Sequence, residues 1–360
     1  MQWFLIFTVI SWLTKVMPLL MISKLWGICL LIKLKENQEL YWSGKSISLV
    51  IMNNSLNKKN IVVLMGGSSS EREVSLSSGK NVFNALIEIG MKVNSIDCCG
   101  DFIPELRKIN PDICFNALHG GGGENGEIQS ILEKEKIPYT HSGVISSILA
   151  MNKMFSKNLF IENNINTPPY EIIKINNLTA IERKLPFVIK PINEGSSKGV
   201  YTILNESDKN NLEEIQNSWL YGDEILIEDY IEGKEITCSV YDGNVTEVME
   251  VFTKNSFYDY EAKYIKGASK HIVPAKISSE IYELVQEISL KSHNIFGCKG
   301  ITRSDFRFNE KLGNKGLFIL EINTQPGMTP TSLVPELVGK SGISYNSLVL
   351  LLLEDASCNR

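Results

Sequence analysis

The chain has 360 residues, of which 43% are hydrophobic and 21% charged, and its formal net charge is −5 at pH 7. This length favours two or three domains over a single core. An acidic chain without a basic stripe is not expected to bind nucleic acid. The seven cysteines show no CxxC spacing, which argues against a zinc site or a disulfide framework and favours a cytoplasmic protein with reduced thiols.

The first 58 residues differ from the rest of the chain. Residues 1–35 are strongly apolar, but Lys15 and Lys24 interrupt them, so no run reaches the roughly 20 residues that a membrane-spanning helix needs. An amphiphilic anchor or an unusual signal sequence is one interpretation, although no small-residue cleavage site is evident. We favour the other interpretation, a mis-assigned start, because Met52 opens an ordinary polar lead into the first strand. Attachment to a membrane is therefore not expected.

Strands and helices alternate between residues 59 and 150. The run "IVVLM" (61–65) is apolar and rich in β-branched residues, which is typical of a parallel strand buried on both faces. The amphipathic helix after it stops at Gly90. The later elements are the strands "MKVNSID" and "DICFNAL", the helix "GEIQSILEKEK" and a short fourth strand, "IPYTH". This βαβ rhythm predicts an N-terminal domain, 59–150, built on an open and mostly parallel sheet.

Strands become more frequent after residue 150. The predicted helix "MNKMFSKNLFIENN" is followed by the strands "PFVIKP", "GVYTIL", "EILIEDY", "EITCSVYDG" and "VTEVMEVF", of which the last two form a hairpin at Asp242-Gly243. A tyrosine-rich polar loop, a helix (277–295), two strands (300–308 and 316–323) and a helical tail complete the chain. We divide this part into a small β-rich central subdomain, 151–240, and a C-terminal α+β domain, 241–360, that contains the loop 254–270. The predicted fold class is α/β, or α+β overall.

Two neighbouring strands carry polar residues where a core would need apolar ones. Glu321 and Asn323 are two apart, so on an extended chain both point to the same face. Arg303 and Asp305 have the same spacing one strand earlier. If the strands pair, three oxygen side chains converge and could hold Mg²⁺, with phosphate oxygens and water completing its shell. A surface hairpin with scattered charges is the alternative interpretation.

Two further segments suggest a bound nucleotide. In "KPINEGSSKGV", a strand ends at Lys190 and a Gly-Ser loop follows, whose N–H groups can cradle phosphate oxygens, although the P-loop pattern is absent. In "EILIEDYIEGKE", Glu228 closes a strand and Glu235 begins the next, where acids can bind ribose hydroxyls. Each segment alone is also compatible with a plain loop or with surface acids. Joined to the carboxylate–amide cluster, they indicate ATP between two β-sheets.

Six motifs run in order from about residue 60 to residue 354. They are "GGSSSEREVSLSSG", "ALHGGGGENGEIQ", "EGSSKGV", "FYDYEAKY", "GCKGITRSDF" and "EINTQPGMTPTSLVP". Together they resemble the D-alanine–D-alanine ligase family of the ATP-grasp superfamily. The resemblance implies an ATP-grasp fold, with ATP held between the central subdomain and the C-terminal domain. It also implies a reaction in which ATP phosphorylates one D-alanine and the amine of a second attacks the acyl phosphate, giving the dipeptide used in peptidoglycan.

The resemblance also implies the roles of individual residues. Two Mg²⁺ or Mn²⁺ ions per site are expected on Asp305, Glu321 and Asn323, and the residues expected at ATP are Lys153, Lys190, Ser197, Glu228, Glu235 and Lys263. The residues expected to act in catalysis are Glu71, Ser196, Tyr264, Arg303 and Gly327, and those expected to bind substrate are His119, Ser332 and Leu333. Among these, Arg303 and the N–H of Gly327 would steady an oxyanion. Glu71 would bind the ammonium group of the first D-alanine. Tyr264 and Lys263 belong to the tyrosine-rich loop, which is expected to close over the site as a lid.

Other functions stay open at this stage. The same fold could take D-serine or D-lactate as its second substrate, although Tyr264 favours an amine nucleophile and hence D-alanine. An inactive nucleotide-binding protein held at a membrane by its leader is also conceivable, but the complete set of expected metal and phosphate residues argues against it. Lys198 and Gln325 depart from the usual family pattern, and neither is expected to touch a predicted ligand, although Lys198 could alter nucleotide affinity. A homodimer is implied by the resemblance alone.

Overall fold

The structure, a computed structural model, describes residues 56–253 and 269–360 and the backbone of three earlier strands. Those strands are β1 (Leu30–Leu34), β2 (Gln38–Ser43) and β3 (Ser46–Ser48), which form an antiparallel sheet in that order. Most of the apolar leader, together with Lys263 and Tyr264, lies outside the described residues. Within the described residues, no helix combines the length and the apolar character that crossing a membrane requires.

A parallel three-stranded sheet forms the first unit, as the βαβ pattern predicts. Its strands are β4 (Asn60–Met65), β5 (Lys92–Asp97) and β6 (Ile113–Asn116), in the order β5-β4-β6. Its helices are α1 (Arg72–Ile89), α2 (Ile103–Ile109), α3 (Gly121–Glu124) and α4 (Glu127–Glu135), and a 3-10 turn (Leu56–Lys58) precedes β4. The predicted fourth strand is reduced to single bridges from Tyr139 to Cys114 and Ser357. Pro138 has no N–H to donate and the chain turns at His141, whose φ is +70°.

The second unit is a four-stranded antiparallel sheet in the order β7-β10-β8-β9. Its strands are β7 (Tyr170–Lys174), β8 (Phe187–Pro191), β9 (Tyr201–Ile203) and β10 (Glu224–Asp229), and a 3-10 turn (Ile175–Ala180) follows β7. The helices are α5 (Val144–Met151), α6 (Lys153–Glu162), α7 (Glu206–Lys209) and α8 (Leu212–Ser218). Only α6 was expected before the first strand, and α5 is an additional helix.

The third unit is a six-stranded antiparallel sheet in the order β14-β13-β11-β15-β16, with β12 paired to β11. Its strands are β11 (Lys234–Tyr241), β12 (Asn244–Val245), β13 (Met249–Thr253), β14 (Ser269–Ile272), β15 (Ile301–Phe308) and β16 (Leu317–Asn323). The remaining elements are α9 (Ser279–Ile295), a 3-10 segment (Glu310–Gly316), α10 (Leu333–Lys340) and α11 (Tyr345–Glu354). The domain boundaries stay a prediction. The strand pairing puts β11, which our division assigns to the central subdomain, in this third sheet.

Two features of the third unit follow from local sequence. The predicted hairpin forms at Asp242 and Gly243, whose φ angles of +46° and +71° fit the mirror-image turns that match strand twist. The strand predicted at "VTEVMEVF" is split into β12 and β13.

The last helix, α11, packs back onto the first unit. Its buried residues Leu348 and Leu352 share a core with Val82 and Leu86 of α1 and with Ile61 of β4. The first unit is thereby held against the third sheet, because the same core includes Ile301 of β15 and Met328, which follows β16. This arrangement brings the loops after β4 and β6 to the end of β16, where the cleft described below lies.

Candidate active site

Two adjoining pockets open between the three units. The first pocket encloses about 800 Å³, including space open to solvent, and the second about 670 Å³. Predicted residues that line the first are Glu71, His119, Lys153, Ser196, Arg303, Glu321, Asn323, Gly327, Ser332 and Leu333. Predicted residues that line the second are Lys153, Lys190, Ser197, Glu235, Asp305, Glu321 and Leu333. Lys153, Glu321 and Leu333 belong to both, so the pockets form one continuous cleft.

The polar ends of β15 and β16 face each other as the spacing predicts. The strands pair antiparallel, with Asp305 opposite Glu321 and Arg303 opposite Asn323. Residues that are directly opposite on paired strands share a face of the sheet. All four side chains therefore point to the same side of the sheet, at the wall of the cleft.

A β-bulge is needed for this alignment. Phe306 pairs with Ile319 but Asp305 pairs with Glu321, which leaves Leu320 as an extra residue on β16. Without the bulge, strict alternation would put Glu321 on the same face as Ile319, which is fully buried in the core. The extra residue turns the end of β16 over, so that a carboxylate faces the cleft two positions after a core isoleucine.

The oxygen atoms at this wall suit a hard cation. Asp305 accepts hydrogen bonds from Arg303 Nε (2.8 Å) and Nη2 (2.7 Å) and from the Thr237 hydroxyl (2.8 Å). Asn323 Oδ1 accepts from the backbone N–H of Gln325 at 2.8 Å. Among the described residues, no three His, Cys, Asp or Glu side chains gather closely enough to hold a metal ion. The available set is two carboxylates and one amide, which are the ligand types that Mg²⁺ and Mn²⁺ accept.

The Gly-Ser loop after β8 lines both pockets. Ser196 and Ser197 have positive φ angles of 51° and 59°, and Gly199 has a φ of +62°. Successive backbone N–H groups in a turn can form a concave site for anions. Lys153, at the start of α6, donates a hydrogen bond to the carbonyl oxygen of Glu194 at the entrance of this loop. The loop thus combines backbone donors with a lysine ammonium.

A buried ion-pair network lies beneath the second pocket. Glu228 is 2% exposed and its carboxylate contacts the ammonium groups of Lys190 and of Lys157, the latter at 2.7 Å. Burial pushes the pKa of Glu228 up, but the two lysines outweigh burial and bring the pKa to about 2. The network has one more positive than negative charge. Burial lowers the pKa of Lys157, and Glu228 opposes that shift.

The first pocket has an acidic end at the first unit. Glu71, at the start of α1, is 3% exposed and accepts a 2.5 Å hydrogen bond from the Ser196 hydroxyl. Burial and the nearby carboxylate of Glu124 raise the pKa of Glu71. His119 lies 3.4 Å from Glu124 through Nδ1 and 2.8 Å from the Ser78 hydroxyl through Nε2.

The opposite end of the first pocket is the N-terminus of α10. Ser332 precedes the helix and its hydroxyl accepts from the Thr329 N–H at 3.0 Å, while Leu333 provides the first N–H of the helix. A Cβ on Gly327 would stand 2.6 Å from the Ser332 hydroxyl, so a side chain there would displace that hydroxyl. Helix N-termini bind carboxylates through their unpaired N–H groups.

Known proteins resemble this chain over most of its length. Residues 159–354 match the family described as D-ala D-ala ligase C-terminus. A D-alanine–D-alanine ligase B from Mesorhizobium japonicum is 47% identical, and the match covers 85% of this chain and all of the relative. The chain belongs to the D-alanine–D-alanine ligase family.

Solved structures of ligases agree with this assignment. The D-alanine–D-alanine ligase of Bacillus anthracis complexed with ATP has a TM-score of 0.68 and 27% identity, over 82% of this chain and 97% of that chain. The VanG D-Ala:D-Ser ligase of Enterococcus faecalis has the same TM-score with 25% identity, over 82% of this chain and 98% of that chain. The ATP-grasp fold expected from the motifs is therefore confirmed, and with it an ATP-dependent ligase.

The cleft of this D-alanine–D-alanine ligase family member collects the predicted residues with one exception. Each described residue that was predicted for the site lines one of the two pockets except Glu228, whose carboxylate turns to two lysines. Their individual roles stay predictions. Of the two unusual residues, Lys198 departs from the expectation, because it lies 3.7 Å from Glu71. The Gln325 side chain bonds Asn116, and only its backbone N–H reaches Asn323.

Sequence reasoning missed Glu124 and Glu194, which line the pockets, and Lys157, which lies in the buried network beneath the second pocket. Glu124 was hidden in the glycine-rich run "HGGGGENGE", where its charge looked like that of an ordinary loop. Lys157 carries a signal that could have found it. It follows Lys153 by four residues on α6, and this spacing puts both lysines on one face of a helix.

Proposed function

We propose that this protein joins two D-alanines with ATP, forming ADP and phosphate through a D-alanyl phosphate intermediate. The observation that carries the proposal is the convergence, in one cleft, of the oxygen cluster at β15 and β16 with the Gly-Ser loop. Such an arrangement suits phosphoryl transfer, where catalysis consists mainly of positioning and of compensating charge.

The second pocket would bind ATP. Lys190 and Lys153 supply positive charge for the phosphates, and the N–H groups of the loop at Ser196 and Ser197 supply neutral donors. Glu235 would take the ribose hydroxyls, and any contact of Glu228 with the nucleotide comes from its backbone. The excess positive charge of the buried network supports an anion in this pocket.

Asp305, Glu321 and Asn323 would hold two Mg²⁺ or Mn²⁺ ions. When bound, these ions neutralise the charge of the β- and γ-phosphates. The fit rests on the donor set, since all three side chains offer hard oxygen atoms from one face of paired strands.

The first D-alanine would lie in the first pocket with its ammonium group at Glu71 and Ser196, and His119 near its carboxylate. A carboxylate oxygen of this substrate forms a bond to the γ-phosphorus while the bond to the β–γ bridging oxygen breaks, and ADP leaves. The product is an acyl phosphate, which water must not reach before the second substrate does.

The second D-alanine would bind with its carboxylate at Ser332 and the N–H of Leu333. Its amine attacks the acyl carbon, and the carbonyl oxygen becomes an oxyanion that Arg303 and the N–H of Gly327 steady. One fixed donor of this kind is commonly worth about 3 kcal/mol of barrier. Collapse then expels phosphate, and the amine loses a proton as the peptide bond forms.

Other features of the proposal rest on the family alone. Lys263 and Tyr264 would close the site, although both lie outside the described residues. A cytoplasmic homodimer is the expected form. The six cysteines among the described residues are free thiols, which supports a reducing compartment. A D-Ala:D-Ser ligase shares the fold, but the relatives at 45% and 47% identity are D-alanine–D-alanine ligases, so D-serine is not favoured as the nucleophile.

Phosphate release from ATP and Mg²⁺ tests the proposal. The protein is assayed with D-alanine, with D-alanine plus D-serine or D-lactate, and without amino acid, and the products are separated by mass. Release that needs D-alanine and yields mainly the D-alanyl-D-alanine dipeptide is the expected result. Arg303→Met should abolish it, whereas Arg107→Met, which removes an exposed pair with Glu135 far from the cleft, should not. No phosphate release with any D-amino acid, from a folded protein, would overturn the proposal.

A further inference from the structure

Lys198 reaches from the Gly-Ser loop to the acidic end of the first pocket. Its ammonium group lies 3.7 Å from Glu71 Oε1 and donates a hydrogen bond to the hydroxyl of Ser70. The Lys198 side chain is 21% exposed and that of Glu71 is 4% exposed, so water screens the pair only in part. The neighbouring Ser196 hydroxyl binds the other oxygen of the same carboxylate at 2.5 Å.

The groups that face Glu71 form a small charge cluster. Glu124, from α3, raises the pKa of Glu71 together with burial, whereas Lys198 and, more weakly, His119 lower it. Gly195 lies in the same loop as Lys198. A Cβ placed on Gly195 would stand 3.7 Å from Glu71 Oε1 and 3.8 Å from Glu124 Oε2. The loop therefore packs directly on both carboxylates. With Lys198 counted, the cluster of two carboxylates and one ammonium has a net charge of −1, which one further ammonium group neutralises.

Without Lys198, two carboxylates would share a largely buried site. Like charges at such a site favour uptake of a proton by one of them. A protonated Glu71 no longer attracts an ammonium group. The positive charge of Lys198 thus opposes protonation of Glu71, which a neutral residue at this position could not do.

We propose that Lys198 is a positioning residue of the first amino-acid subsite, where it keeps the Glu71 carboxylate ionised and in place for the ammonium group of the substrate. The inference rests on the proposed function for the identity of that substrate. Ser196 of the same loop lines the first pocket and Ser197 lines the second. The hydrogen bond from Lys198 to Ser70 therefore also holds the loop that separates the two pockets. Removal of the lysine should weaken D-alanine binding on the acid side of the pH profile.

Lys198→Met tests this with a side chain of similar length. We expect the acid limb of kcat/KM for D-alanine, at saturating ATP, to move up by about one pH unit, the size typical of a partly screened pair at this distance. Well below the wild-type limb the value should fall about tenfold, and on the alkaline plateau it should stay within about twofold of wild type. Lys198→Arg should keep the wild-type profile. Lys311→Met, which removes a lysine that is 78% exposed, is the matched control.

A readout without turnover separates this inference from the proposed function. Glutamate carboxyls labelled with ¹³C are titrated by NMR in the ligand-free protein, and the Glu71 signal is identified by its loss in Glu71→Gln. The Glu71 pKa should be higher in Lys198→Met than in wild type. Ser70→Ala removes the hydroxyl that accepts the hydrogen bond from Lys198, and it should raise the Glu71 pKa by a smaller amount. This variant replaces Lys198→Met in the titration if Lys198→Met does not fold.

Two results would overturn the inference. One is an unchanged Glu71 titration in both variants. The other is a raised KM for ATP with an unchanged D-alanine profile, which would assign Lys198 to the nucleotide. A shifted titration in a protein that makes no dipeptide would instead retain the role of Lys198 and refute the proposed substrate.

Discussion

Replacing Lys157 by methionine should destabilise the protein strongly, although this residue lines neither pocket. Its ammonium group is 2.7 Å from Glu228 Oε2 and also donates to the Thr167 hydroxyl (2.8 Å) and the Pro168 carbonyl (3.3 Å). Methionine fills a similar volume but leaves the fully buried Glu228 with Lys190 as its remaining charged partner. Breaking a buried pair commonly costs about 3 to 5 kcal/mol when it leaves the other charge uncompensated, but here Lys190 still compensates Glu228. We therefore expect a smaller loss, of about 2 to 3 kcal/mol, in the free energy of unfolding.

Urea unfolding followed by circular dichroism measures this loss, and Lys209→Met is the control. Lys209 pairs with Glu206 at 3.2 Å on an exposed helix turn, and its removal should cost less than about 0.5 kcal/mol. In a Glu228→Gln background the cost of Lys157→Met should shrink, because Lys157 then has no carboxylate to pair with. A loss below about 1 kcal/mol, or an equal loss in both backgrounds, would refute the assignment of this energy to the ion pair.

Three further outcomes are expected. Glu321→Gln, which keeps the shape but removes a charge from the oxygen cluster, should lower D-alanine-dependent phosphate release at least about 100-fold at saturating Mg²⁺, and activity near wild type would argue against a metal there. Gly327→Ala should raise the KM for the second D-alanine about tenfold, since the new Cβ would stand 2.6 Å from the Ser332 hydroxyl, and substrate-saturation curves with an unchanged KM would contradict this. The pKa of Glu228, about 2 against a usual 4.5, means that its stabilising contribution, of up to about 3 kcal/mol, is complete above about pH 4.5 and is lost as the pH falls towards about 2. Acid unfolding of Glu228→Gln should therefore depend less on pH in this range than that of wild type, and parallel curves would count against the network.

Local patterns predicted most of the secondary structure. The apolar run at β4, the stop of α1 at Gly90 and the hairpin at Asp242-Gly243 depend on residues that are neighbours in the chain, and all three are found in the structure. The fourth parallel strand is reduced to single bridges, because "IPYTH" has strand-like composition but Pro138 has no N–H to donate and the chain turns at His141.

The sequence by itself determined which residue types the site has, because the spacing of Glu321 and Asn323 and of Arg303 and Asp305 is a local property. It did not determine that Glu321 leaves the face of Ile319. Only the pairing of β15 with β16 decides that, through the extra residue in the bulge.

Charge partners were likewise decided by the tertiary structure. Glu228 looked like a surface acid that could reach a nucleotide, and Lys198 looked like a departure from the family pattern that could alter nucleotide affinity. The fold buries the first between two lysines and brings the second beside Glu71. The physical reason is that a period of two or of 3.6 residues is set by adjacent residues, whereas strand register, burial and ion pairing depend on residues distant in the sequence.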